Sequence, residues 1–175
     1  IRSAAPITAR GMAIPITAMA DTASPASLLR LMTWLSPAFP VGAFAYSGGL
    51  EQAVSDGDVK DAETLRAWLE SLLARGNLWN DAVLFTEAHR ACKEAGRLAA
   101  VAELAEALSG SAERHRETTL QGEAFLAAAA RWPHPVLALL GAAAAYPVAV
   151  GAVSGGHGIG AEVGLAAYLH AVASN

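Results

Sequence analysis

The sequence is poor in charge, in aromatics and in sulfur. Of its 175 residues, 16% are charged, 6% are aromatic and one, Cys92, is a cysteine. A single cysteine excludes an intramolecular disulfide framework and fits a reducing compartment, so a cytoplasmic location is expected. Cys92 itself reads as a small buried apolar side chain rather than a reactive thiol. The formal net charge of -4 provides no basic field to hold phosphate backbones, which argues against a nucleic-acid partner. Paired histidines are also missing. His89, His115, His134, His157 and His170 never stand at i+3 or i+4, so no local metal-ligand motif exists and surface or core roles are expected for each.

Two stretches invite a membrane reading and neither sustains it. The apolar run within residues 10–21, "RGMAIPITAMAD", is broken by Pro15 and threonines and does not make a signal peptide. Residues 136–156 are uncharged but dominated by Ala and Gly and interrupted by Pro147. They lack the Leu, Ile and Phe that favour insertion and read as buried helices.

What is abundant is small apolar surface. The composition is 54% hydrophobic, much of it alanine, the best helix former, and no run alternates as a strand would. The expectation is an all-α protein, a single compact domain of antiparallel helices over residues 27–175. Residues 1–26, rich in Pro, Thr, Ala and Ser without an apolar period, read as a mobile N-terminal tail, partly vector-derived.

Ser27 is the expected N-cap of a first helix with Leu28, Leu31, Met32 and Leu35 on its inner face, stopped by Pro37 and Pro40. A short helix is expected over residues 48–54, closed by the turn "SDGD". Asp61 to Arg75 is the clearest amphipathic segment: Leu65, Trp68, Leu69, Leu72 and Leu73 recur at helical spacing, Asp61 and Glu63 open it, and Arg75 and Gly76 close it. Further helices are expected over residues 80–95, 97–108, 111–131, 135–145 and 159–173, with Gly96, Ser109-Gly110, Pro133 and residues 147–158 as separators.

Three motifs carry possible chemistry. "AYSGG" around Ser47 differs by one small residue from a G-x-S-x-G nucleophile elbow, but a hydrolase of that type needs strands alternating with helices, so a capping role for Ser47 is favoured. "SGGHGIG", residues 154–160, lacks the G-K-[ST] ending and the preceding strand of a phosphate loop, and reads as a flexible connector. "ERHRETTLQGEAF", residues 113–125, is a helix with two open readings. It is either a solvated face, with Glu113 at ion-pair spacing from Arg116, or a polar strip facing a partner, with Gly122 admitting another backbone.

Taken in order, "LSPAFPVGAFAYSGGLE" (residues 35–51), "ERHRETTLQGEAF" and "YPVAVGAVSGGHGIGAEVGLAAYLHAVASN" (residues 146–175) resemble the urease accessory protein UreF family. The first is long and specific, the others looser, and the likeness runs from about Leu28 to Asn175. The resemblance implies an all-α protein with no reaction of its own and no permanently bound cofactor. It implies partners too: UreD (also called UreH), the GTPase UreG and the urease apoprotein, with a homodimer inside the complex. That assembly supports nickel insertion and carbamylation of the active-site lysine, nickel being handled transiently. Direct stimulation of the GTPase by Arg114 or Arg116 and passive gating both stay open. A nickel-binding metallochaperone, and a hydrolase using Ser47, are the rival readings.

Residue by residue, Pro40, Gly42, Tyr46, Ser47, Gly49, Leu50 and Glu51 match the family's N-terminal motif, and Glu113, Arg114, Gln121 and Gly122 its central polar motif. With Phe39 and Phe44, whose rings offer large contact area and few rotors, they form the expected partner-binding set, although Leu50 and Phe44 read equally as core. Family members continue beyond the position of Asn175. The present chain is therefore expected to self-associate or to be less stable than a longer one.

Overall fold

The computed structural model describes residues 24–42 and 49–174. These form nine helices and no strand: α1 (Pro25–Trp34), α2 (Leu50–Ser55), α3 (Ala62–Arg75), α4 (Asn77–Arg90), α5 (Ala95–Ala107), α6 (Ala112–Ala129), α7 (Val136–Leu140), α8 (Tyr146–Gly156) and α9 (Ala161–Ser174). The all-α expectation holds. α4 packs against α3, α5, α8 and α9, and α8 packs in addition against α5, α6, α7 and α9.

The centre is α8, whose residues from Tyr146 to Ser154 are all buried. This corrects the assignment of residues 147–158 as a separator. Pro147 sits in the first turn, where a missing N–H costs nothing. The glycines allow contact rather than flexibility. A Cβ on Gly151 would run into the Phe85 carbonyl, and one on Gly155 into that of His89, so α8 lies backbone to backbone along α4. Only His157 to Gly160 connects α8 to α9, with Gly158 at φ 70°.

The expected helix over residues 135–145 is likewise cut short. After α7, Gly141 turns the chain at φ 68°, and residues 142–145 are non-helical despite their alanines. Their small side chains let this backbone meet α6, where a Cβ on Gly122 would strike the Ala144 carbonyl. Tertiary packing overrides propensity here.

α1 starts about a turn earlier than expected. Ser24 is its N-cap, accepting from the Ser27 N–H at 3.1 Å, and Pro25 fills the first turn. The inner face is rotated as well. Ser27, Leu31 and Trp34 are buried, whereas Leu28 and Met32 are 46% and 72% exposed. Trp34 sets this orientation because its large ring fills a space between α6 and the end of α8.

Asp61, expected in the first turn of α3, is its N-cap: Asp61 accepts from the Thr64 N–H at 2.9 Å, and Thr64 accepts from the Asp61 N–H at 3.1 Å. Its apolar stripe, however, stays half-buried with Leu73 exposed, since α3 packs on α4 at the edge of the fold. Gly76 joins α3 directly to α4, which begins at Asn77 rather than Asn80. Cys92 is buried, as anticipated.

Candidate partner-binding surface

Phe44, Tyr46 and Ser47 lie outside the described residues. The flanks of their segment are defined. Behind α1 the chain turns tightly: Ala38 donates to Ser36 Oγ at 3.1 Å, Phe39 to the Ser36 carbonyl at 2.9 Å and Val41 to the Phe39 carbonyl at 2.8 Å. Phe39 is half-buried, with ring centroids 5.8 Å from Phe125 and 6.5 Å from Trp132. Pro40 and Gly42 are exposed, and Gly42 has φ 72°. Gly49, at φ 92°, opens α2, with Leu50 half-buried and Glu51 exposed in the first turn. Positive φ at both ends of the segment is why glycine stands there.

The central polar motif faces mostly inward. Arg114 donates through Nη2 to Asp81 Oδ2 at 2.7 Å, and its Nη1 lies 3.3 Å from Glu117 Oε1. Tyr168 donates its hydroxyl proton to the same Asp81 oxygen at 3.1 Å, and Gln121 reaches Glu117 at 3.4 Å. Thr118 accepts from the Tyr146 N–H at 3.1 Å, which pins the start of α8 to α6. Gln121 and Gly122 are buried, and Glu113 is exposed.

Electrostatics follow from this burial. Desolvation pushes the Asp81 carboxyl above its ordinary pKa, while the charge and hydrogen bond of Arg114 and the Tyr168 hydroxyl pull it back. Arg114 is held above its usual value: burial opposes its charge, but Asp81 and Glu117 outweigh it. Tyr168 is raised well above the ordinary phenol by burial and by Asp81, and burial pushes Tyr146 up to about 12. A small cavity lined by Asn80, Asp81, Arg114 and Thr118 adjoins the network, with a volume of ≈ 20 Å³, enough for a single water.

The two motifs are joined through the core. Phe39 meets Phe125, Phe125 meets Tyr146 at 5.9 Å, Tyr146 meets Tyr168 at 5.6 Å, and Tyr168 bonds the Asp81 that holds Arg114. Sequence reasoning missed Asp81 and Tyr168. The available signal was the position of Asp81 on the buried face of α4, three residues after Leu78 and four before Phe85, where an acid requires a partner.

Among the described residues no group of three His, Cys, Asp or Glu side chains could hold a metal ion, and no helix is long and apolar enough to cross a membrane. Fold and site thus define an all-helical protein whose polar motif braces its own core and whose aromatic, glycine-bounded segment begins at the surface. The UreF family model matches residues 59–175. The urease accessory protein UreF of Sinorhizobium medicae (strain WSM419) is 64% identical over 157 residues, 90% of this chain and 70% of that protein. That of Rhizobium meliloti (strain 1021) is 62% identical over the same shares, and that of Rhizobium johnstonii is 63% identical over 148 residues, 85% of this chain and 66% of that protein. The chain belongs to the UreF family of urease accessory proteins.

Proposed function

We propose that this chain is a non-catalytic scaffold of urease maturation. It joins UreD/UreH and the GTPase UreG on the urease apoprotein in the cytoplasm, as a homodimer within that complex, and supports nickel insertion and lysine carbamylation. No cofactor resides in it, and nickel passes through the assembly transiently. Family membership carries this reading, since the relatives are named accessory proteins. The contact mode is supported by apolar surface that the fold leaves open: Leu28, Leu29 and Met32 on α1, and the half-buried stripe of α3.

Within this reading Phe39, Pro40, Gly42, Phe44, Tyr46, Ser47, Gly49, Glu51 and Glu113 contact partners directly. Arg114, Gln121 and Gly122 contribute by holding α6 against α4 and α8. Because Arg114 is committed to Asp81 and Glu117, gating of the GTPase is favoured over an inserted Arg114.

The test is size-exclusion chromatography with light scattering on the purified chain mixed with UreD and UreG. Co-elution with UreD, and recruitment of UreG to that complex, are expected. Alanine at Tyr46 and Glu51 should weaken co-elution with helical content unchanged; equal co-elution by the variants would remove these residues from the surface. Stoichiometric nickel binding by the isolated chain would favour a metallochaperone instead.

A further inference from the structure

α1 and the turn behind it, whose Leu31 and Val41 enter the core, also meet the body at a cluster of aromatic and imidazole rings. Trp34 is wholly buried, its ring centroid 6.2 Å from Phe125, 5.9 Å from Trp132 and 5.2 Å from His157. His157 is the C-cap of α8, and its ring lies 4.9 Å from that of His134 in the α6–α7 connection. Phe39 closes the cluster against Phe125 and Trp132. Two of its polar atoms, Trp34 Nε1 and His157 Nε2, are buried without a hydrogen-bond partner. His134 Nδ1 accepts from the Val136 N–H at 3.2 Å, an arrangement that requires this nitrogen to be unprotonated.

The charged groups facing His157 share one sign. α1 contributes Arg30, and the α6–α7 connection contributes His134. α4 presents the His89 carbonyl, and the turn behind it Cys92, at neighbouring Gly155. Among the described residues no carboxylate pairs with either imidazole. Burial, then His134, then Arg30 hold the His157 pKa below its ordinary value, and the Trp132 backbone opposes them. The carbonyl end of α8 favours a cation at this position, as does the face of an indole, but both act on a site where a second ring proton finds no acceptor.

We propose that the His134–His157 pair is a pH-sensitive latch. With the His157 ring neutral it holds α1 and residues 35–42 against α6 and α8, and proton uptake by His157 releases that segment. The consequence for function rests on the scaffold reading, because the released segment carries Phe39, Pro40 and Gly42. In the open form the His157 imidazole recovers an ordinary value near ~6.5. The closed form binds the proton more weakly, so closure is complete above that value and weakens as pH falls toward the lower closed-state value.

Hydrogen exchange between about pH 5 and 8, corrected for intrinsic rates, tests the latch, with α8 amides as internal reference. Protection of α1 relative to α8 should fall below pH ~6.5, by about tenfold for each unit separating the open and closed pKa values. His157→Gln and His134→Gln should flatten that dependence. A ratio independent of pH in the unaltered chain, or an unchanged fall in both variants, would overturn the proposal. Should His157→Gln fail to fold, His134→Gln and the ring-proton NMR titration of His157 in the unaltered chain decide. A His157 value at or above the ordinary one would also overturn it. No partner protein enters the experiment, so its failure and failure of the co-elution test are separately visible.

Discussion

Gly122 of α6 and Ala144, just ahead of α8, meet backbone to backbone, with the Ala144 carbonyl occupying the place a side chain at 122 would need. The neighbouring Tyr146 N–H bonds Thr118 one helical turn earlier on α6, so the two contacts fix where the central helix begins. A small residue in a polar motif is thereby tied to the register of the whole core.

Gly122→Ala should destabilise the protein by about 1–3 kcal/mol, the usual cost of overpacking, because the obstacle is backbone and cannot rotate away. For a chain of this size that lowers Tm by roughly 2–4 °C per kcal/mol. Gly96→Ala is the control. Nothing lies within 4 Å of a Cβ there, and the helical site should gain up to about 1 kcal/mol. Thermal unfolding of both variants measures the contrast.

Asp81→Ala should cost up to about 3–5 kcal/mol, since it leaves the largely buried Arg114 guanidinium only its longer contact to Glu117. Tyr168→Phe removes one hydrogen bond and should cost about 0.5–1.5 kcal/mol. Urea unfolding of the two single variants and of Asp81→Ala/Arg114→Ala should show the double change costing less than the sum.

Ser154 is completely buried in α8 and its hydroxyl has no partner. Ser154→Ala should therefore be neutral or stabilising by up to about 1 kcal/mol, because it removes a desolvated polar atom. A loss of more than that in urea unfolding would mean the hydroxyl holds a bound water.

Alkaline titration should separate the tyrosines. Burial raises Tyr146 to about 12 and Tyr168 well above an ordinary phenol, so the unfolded chain loses these protons first as pH rises. The folded state then binds more protons than the unfolded one, and stability falls as pH climbs past ~10. Tyrosinate absorbance from these two should appear together with loss of far-UV helical signal. Ionisation at the ordinary value with the fold intact would contradict the burial.

Much was legible in local sequence. Asp61 and Thr64 mark the start of α3, Ser111 caps α6 by accepting from the Arg114 N–H, and Gly57 at φ 81° closes the turn after α2. These depend on neighbours a few residues away, which is the range that capping and turn chemistry cover. The motif over residues 35–51 and those after it pointed to the family, and the relatives show that membership. The site was less legible. Its polar motif was recognised as a string, but neither Asp81 nor Tyr168 could be attached to it from spacing, because they come from helices far away along the chain.

The sequence alone determined an all-helical protein and its family, because composition, caps and motif order are written along the chain. Only the tertiary structure decided which faces became core. α3, whose apolar spacing was the clearest in the sequence, remains at the edge with its stripe half-covered. α8, whose Pro and Gly read as a break, is the centre. The physical reason is close packing: glycines at 122, 151 and 155 matter through the carbonyls they admit, and those carbonyls belong to segments that only the fold brings near.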